Sequence, residues 1–147
     1  MAEASTPRLC ALIAISSPSL NGSSRPHLQS RRRPAVIESY EFGRIVIKGK
    51  RYTADVIIYP DHVEDNWWRE EGHSLSPVDL WAIVQTEPEV LVVGTGRSGL
   101  MRVLPETEEY LRKQGIRLIA ERTTEAVRIY NQLYQSTKVV AALHLTC

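Results

Sequence analysis

Cysteine is scarce in this sequence. Cys10 and Cys147 stand near opposite ends of 147 residues. Two thiols so placed exclude a disulfide-stapled scaffold and a structural zinc site, and they fit a reducing compartment. Charge of one sign is equally wanting: 18 Lys+Arg face 17 Asp+Glu, for a formal net charge of +1. That leaves no electrostatic footprint for nucleic acid or an acidic membrane surface. No apolar run approaches the roughly 20 residues that span a bilayer. There is also no room for a cofactor domain beside a substrate domain. What is there, 43% hydrophobic and 24% charged residues, suits one globular core.

The stretch from Met1 to about Ala35 does not read as part of that core. It holds four prolines and seven serines, with Arg8, Arg25, Arg31, Arg32 and Arg33 against Glu3 as its only acid. The expectation is a disordered N-terminal extension over residues 1–35, or a start placed too far upstream. Its arginine- and serine-rich, acid-poor character also matches an organelle transit peptide, and Leu9 to Ile15 could be a poor secretory segment. The chain is therefore expected in the cytoplasm, or in mitochondria if residues 1–35 are a targeting leader.

Residues 36–147 are expected to form a single α/β domain. Ile45 and Ile47 alternate with polar neighbours, Lys48-Gly49-Lys50 turns the chain, and Tyr52 to Tyr59 is a second β-rich run, giving an N-terminal β-hairpin. Ser76-Pro77-Val78-Asp79 opens a helix whose apolar face holds Leu80, Trp81, Ile83 and Val84. Val90 to Val93 suits a strand covered on both faces. Pro105 to Gln114 is a helix with acids first, Arg112 and Lys113 last, and Gly115 as its stop. Ile116 to Ala120 is a strand. Thr123 or Thr124 caps a helix with Ala126, Val127, Tyr130, Leu133 and Tyr134 on one face, and Val139 to Leu145 is the last strand. That order predicts three layers around a mixed central sheet with a parallel βαβαβ core, the hairpin joining an edge or forming a side layer.

Gly94, Gly96 and Gly99 spell G-x-G-x-x-G after the central strand, and Glu121 stands where a ribose-binding acid belongs. In a dinucleotide fold, however, the helix opens within the glycine motif. Here Leu100 to Leu104 intervene and the helix waits for Pro105, so no nucleotide cofactor is expected. The loop still leaves the carboxyl end of a buried strand. Gly94, Thr95, Gly96, Arg97 and Ser98 are candidate ligands for a small anion, through amides, hydroxyls and a guanidinium. A tight turn needing positive φ, with no ligand, explains the glycines equally well.

Trp67, Trp68 and Arg69 in a polar loop are residue types that anchor protein interfaces, and with His73 they form the candidate partner surface. One tryptophan is expected to be buried and one partly exposed, with Arg69 pairing a nearby acid as the plainer alternative. His73 lies near Asp61, His62, Glu64, Asp65, Glu70 and Glu71, but no metal-ligand spacing accompanies it, so no metal is expected. No nucleophile is evident beside it, so no catalytic residue is assigned. His144 and Cys147 are expected at a sheet edge.

Taken together, Trp68-Arg69, Gly72-His73, Ser76, Asp79-Leu80, Leu91 to Gly96, Tyr110-Leu111, Gly115-Ile116, Thr124, Ala126-Val127, Tyr130-Asn131, Leu133 and Thr146-Cys147 resemble one small α/β family over residues 37–147. Its members include the adipogenesis-associated Mth domain-containing protein and the mitochondrial complex I assembly factor of the same domain type. The adipogenesis-associated branch is similar in the tyrosine-leucine helix and the threonine-cysteine end, but varies Thr95 and the Gly-His pair. The resemblance implies a three-layer α/β domain, no established enzymatic activity, and a role in assembly or regulation through a protein partner. The expected function is thus non-catalytic interaction; the alternative is an enzyme or binding protein for a small anionic molecule at Gly94–Gly99.

Overall fold

The computed structural model describes residues 35–147. The expected extension therefore lies outside the described residues except for its last member, Ala35, which is buried.

Three short strands come first: β1 (Ile37–Glu41), β2 (Arg44–Ile47) and β3 (Lys50–Tyr52). They pair as an antiparallel meander in the order β1-β2-β3. The expected hairpin is thus one strand richer, and the run from Tyr52 to Tyr59 is divided. Its second part, β4 (Val56–Ile58), leaves the meander and joins the main sheet. Gly43 and Gly49 take the positive-φ corners of the meander, where any side chain would be strained.

The main sheet has five strands in the order β5-β4-β10-β7-β9. It contains β5 (Val63–Asp65), β7 (Val90–Thr95), β9 (Arg117–Glu121) and β10 (Val139–His144). β10, β7 and β9 run parallel, while β4 and β5 are antiparallel additions. β6 (Ser74–Leu75) and β8 (Arg102–Val103) form a small parallel pair outside it. Three helices complete the described part: α1 (Trp81–Gln85), entered through a 3-10 turn at Pro77–Leu80, α2 (Pro105–Lys113) and α3 (Thr123–Leu133).

Two apolar clusters show why the sheet sits between layers. Along β7, Val90 and Val92 belong to one cluster while Leu91 and Val93 belong to the other, the two-residue alternation of a strand covered on both faces. The first cluster takes Ile45 and Ile47 of the meander and Ala126 and Tyr130 of α3. The second takes Ile83 of α1 and Leu111 of α2. The connection β7-α2-β9 moves to one side beneath one face. β9-α3-β10 returns past β7 over the other face, so the two crossovers share a hand. The parallel βαβαβ core and mixed central sheet are as expected.

Three local expectations change. Trp81 is 63% exposed, because α1 is only five residues long and turns Ile83 and Val84 inward instead. Neither Thr123 nor Thr124 is the N-cap of α3. Arg122 holds that position, since the Thr123 hydroxyl is drawn into the bonds described below. β10 is not at an edge: it is the central strand, so His144 and Leu145 are buried.

Candidate functional site

The carboxyl ends of β7 and β10 meet the loop that follows β5, and the residues singled out in the sequence gather there. Gly94, the last residue but one of β7, lies opposite Leu143 of β10. A Cβ at Gly94 would lie 2.8 Å from the Thr123 Oγ1, so this glycine is required by the close passage of α3. Gly96 has φ of +104°, and a Cβ there would overlap the Cys147 carbonyl. Both glycines are thus explained by chain packing on chain.

The amides of this corner face inward. Gly96 N–H donates to Thr123 Oγ1 at 2.8 Å, and Thr123 Oγ1 in turn donates to the His144 carbonyl at 2.6 Å. Arg97 N–H donates to the Thr146 carbonyl at 2.6 Å and Leu100 N–H to the Cys147 carbonyl at 3.0 Å. Gly99 N–H returns to the Gly96 carbonyl and Met101 N–H to the Thr95 carbonyl. The Thr95 hydroxyl donates to the Glu121 carbonyl at 3.1 Å. What the corner offers to solvent is therefore the exposed side chains of Arg97 and Ser98 more than a cradle of amides.

The tryptophan-arginine segment divides. Trp67 packs into the core and its backbone N–H donates to the Asp55 carbonyl at 2.8 Å. Arg69 lies 4.7 Å over the Trp67 ring and is buried. Trp68 between them is 76% exposed. Of the four candidate interface residues, then, only Trp68 and His73 present side chains to solvent. Arg69 is inside because it meets a partner that the sequence placed far away.

That partner is Asp55, just ahead of β4. Arg69 Nη1 is 3.0 Å from Asp55 Oδ2, in an ion-pair geometry that makes no hydrogen bond. Arg69 Nη2 donates to the Gly72 carbonyl at 3.1 Å. His144 Nδ1 is 2.8 Å from Asp55 Oδ2, and Leu145 N–H donates to Oδ1 at 2.8 Å. A carboxylate so close accepts from an Nδ1–H, which fixes the tautomer and turns the 3.2 Å approach of Arg69 Nη2 to the same nitrogen into a contact between donors. Burial alone would raise the Asp55 carboxyl. The bonds from His144 and Leu145, with the charge of Arg69, outweigh it and hold the group below the ordinary carboxylate value. His144 Nε2 is buried without a partner, as is Arg69 Nε.

His73 stands beside this network, its ring edge-on to that of His144 with centroids 6.0 Å apart. Its Nε2 is 3.9 Å from the Cys147 Sγ. A thiol does lie beside His73, contrary to the expectation that no nucleophile would. Among the described residues no three His, Cys, Asp or Glu side chains converge as metal ligands would, and no helix is long and apolar enough to cross a membrane.

The family model described as Protein of unknown function (DUF498/DUF598) matches residues 37–144. The chain belongs to this family. Among solved structures it is similar to a conserved hypothetical protein of Pyrococcus horikoshii, with 30% identity and a TM-score of 0.66 over 76% of this chain and 98% of that one. A protein of Bordetella parapertussis is 28% identical, with a TM-score of 0.66 over 77% and 97% of the two chains. A Bordetella pertussis protein described as a Mth938-like domain is 25% identical, with a TM-score of 0.55 over 76% and 85%. The Mth-type resemblance is supported at this level of domain type.

In this DUF498/DUF598 chain the sequence reading missed Asp55 and Thr123 as organising residues. Nothing local marks Asp55, whose partners lie 89 and 90 residues further on. The signal for Thr123 was present but pointed elsewhere: a threonine before a helix reads first as a cap.

Proposed function

We propose that this DUF498/DUF598 domain is a non-catalytic interaction module that engages a protein partner through an exposed tryptophan face. The observation that carries the reading is the pair Trp68 and Trp81, 76% and 63% exposed, with Val78 at 60%. The loop bearing Trp68 is tied to the turn bearing Val78, since Glu70 N–H donates to the Asp79 carboxylate at 3.1 Å. The same carboxylate accepts the Ser76 N–H at 3.0 Å. Large aromatic side chains held in solvent by a braced backbone suit the centre of an interface. Trp67 and Arg69 brace the loop from below and do not touch the partner. The resemblance to the adipogenesis-associated and complex I assembly proteins adds a role in assembly or regulation to this reading.

Binding of a small anion at Gly94–Ser98 has less support. Most of the amides it needs are engaged within the chain, leaving Arg97 and Ser98 as its donors. Photo-crosslinking in the native cell tests the preferred reading. A photoreactive residue at position 68 or 81 should trap the same discrete protein, and one at the exposed Lys113 of α2 should not. Absence of a trapped species at 68 and 81 would overturn the proposal.

A further inference from the structure

The sequence left Cys147 without a role, and three observations now give it one. The first is the pairing with His73: the thiol is half-buried and within 3.9 Å of an exposed imidazole nitrogen. Its backbone is anchored, because the Cys147 carbonyl accepts the Leu100 N–H and fills the space beside Gly96. The sulfur is therefore held in place and still reachable.

The second is the state of His144. Its Nδ1–H is committed to Asp55, and its Cδ2 lies against Gly96. The Nε2–Cδ2 edge of the ring is accordingly turned toward Gly96, Cys147 and His73. His144 is only 7% exposed, yet Nε2 has no partner. With Nδ1 protonated, Nε2 is an acceptor. A buried acceptor left open is costly unless something supplies an N–H or O–H.

The third is charge. Arg97 donates its amide to the residue before Cys147, Arg102 donates its amide to the His73 carbonyl, and the Arg122 side chain crosses Gly99. All three arginines are exposed. Of the acids around them, Asp55 is already committed to His144, Leu145 and Arg69, and Glu70 and Glu71 precede His73 in its own loop. A partly exposed thiol beside an imidazole, with three exposed arginines on the segments around it, is the setting in which cysteines react.

We propose that Cys147 is a thiol-modification site for small disulfides that carry carboxylates, of which oxidised glutathione is the simplest probe. His73 accepts the thiol proton. The Cys147 sulfur attacks one sulfur of the disulfide, whose S–S bond breaks as the mixed S–S bond forms. The departing thiolate takes the proton back from His73, so the exchange balances without an outside oxidant. The arginines hold the carboxylates, and His144 Nε2 accepts an N–H of the incoming molecule.

The test uses the full chain carrying Cys10→Ser, so that Cys147 is its one thiol, and follows mixed-disulfide formation by intact mass. The folded protein should react with oxidised glutathione about tenfold faster than the same protein in urea. The neutral bis(2-hydroxyethyl) disulfide should show a smaller gain. His73→Gln should bring the folded rate to within about twofold of the unfolded one without moving the melting temperature. Arg97→Gln should reduce the preference for the anionic disulfide. Equal or slower reaction of the folded chain, or a His73→Gln rate like the parent's, overturns the site. Equal gains for the two disulfides overturn its ligand class.

Discussion

Gly96 and Cys147 share one space: a methyl group on the glycine would stand inside the cysteine carbonyl. The glycine also has φ of +104°. Gly96→Ala therefore combines backbone strain with loss of the bonds that residues 146 and 147 make to the corner. It should cost roughly 2 kcal/mol or more. Gly49→Ala, with φ of +83° and open space around it, should cost about 1 kcal/mol. Urea denaturation of both variants checks the ranking, which a simple turn at Gly96 would not produce.

The two neighbouring tryptophans should behave in opposite ways. Trp67→Ala opens a cavity in the core and exposes the face on which Arg69 lies, for a loss of about 3–5 kcal/mol. Trp68→Ala removes an exposed ring and should stay within about 0.5 kcal/mol of the parent. If the proposed function holds, Trp68→Ala loses the partner all the same. Thermal melting with partner capture separates the two effects.

Removal of Asp55 leaves a buried guanidinium and an imidazole N–H unpaired. Asp55→Ala should cost about 3 kcal/mol, because breaking a buried pair strands its other member. The double variant Asp55→Ala/Arg69→Ala should cost less than the sum of the singles, since the two groups share one network. Additive losses would show that the pairing contributes nothing.

Acid should weaken the same network. The Asp55 carboxyl is held lower in the folded chain than its ordinary value. Its contribution is fully present above the unfolded value of about 3.9 and is lost as pH falls through the lower folded value. The parent should therefore lose stability below about pH 4 more steeply than Asp55→Asn. Melting temperatures across that range check it; parallel curves would contradict the assignment.

Much of the fold was legible because its signals are local. The apolar run from Val90, the proline at 105 and the glycine at 115 each carry their own geometry, and the charge order of α2 follows its dipole. The place of β10 was not legible. Val139 to His144 reads as a covered strand wherever it lies in a sheet, and only its partners Ile58 and Val92 make it central. The site was harder still. Arginine is a surface residue by habit, and the burial of Arg69 depends on an aspartate 14 positions earlier that no periodicity marks. The exposed Trp68 and the packed Trp67 differ by one position, which the alternation of side chains allowed but could not assign.

The central position of β10 also sets the timetable of synthesis. The β4–β5 pair and the β7–β9 pair touch the rest of the main sheet only through that strand. While a ribosome still holds residues 139–144, the two halves have no common partner, and the apolar edge of β7 has one neighbour where it will need two. Assembly of the sheet is thus a late, long-range event. Cells making this protein must shield a hydrophobic strand until residues 139–144 have left the ribosome.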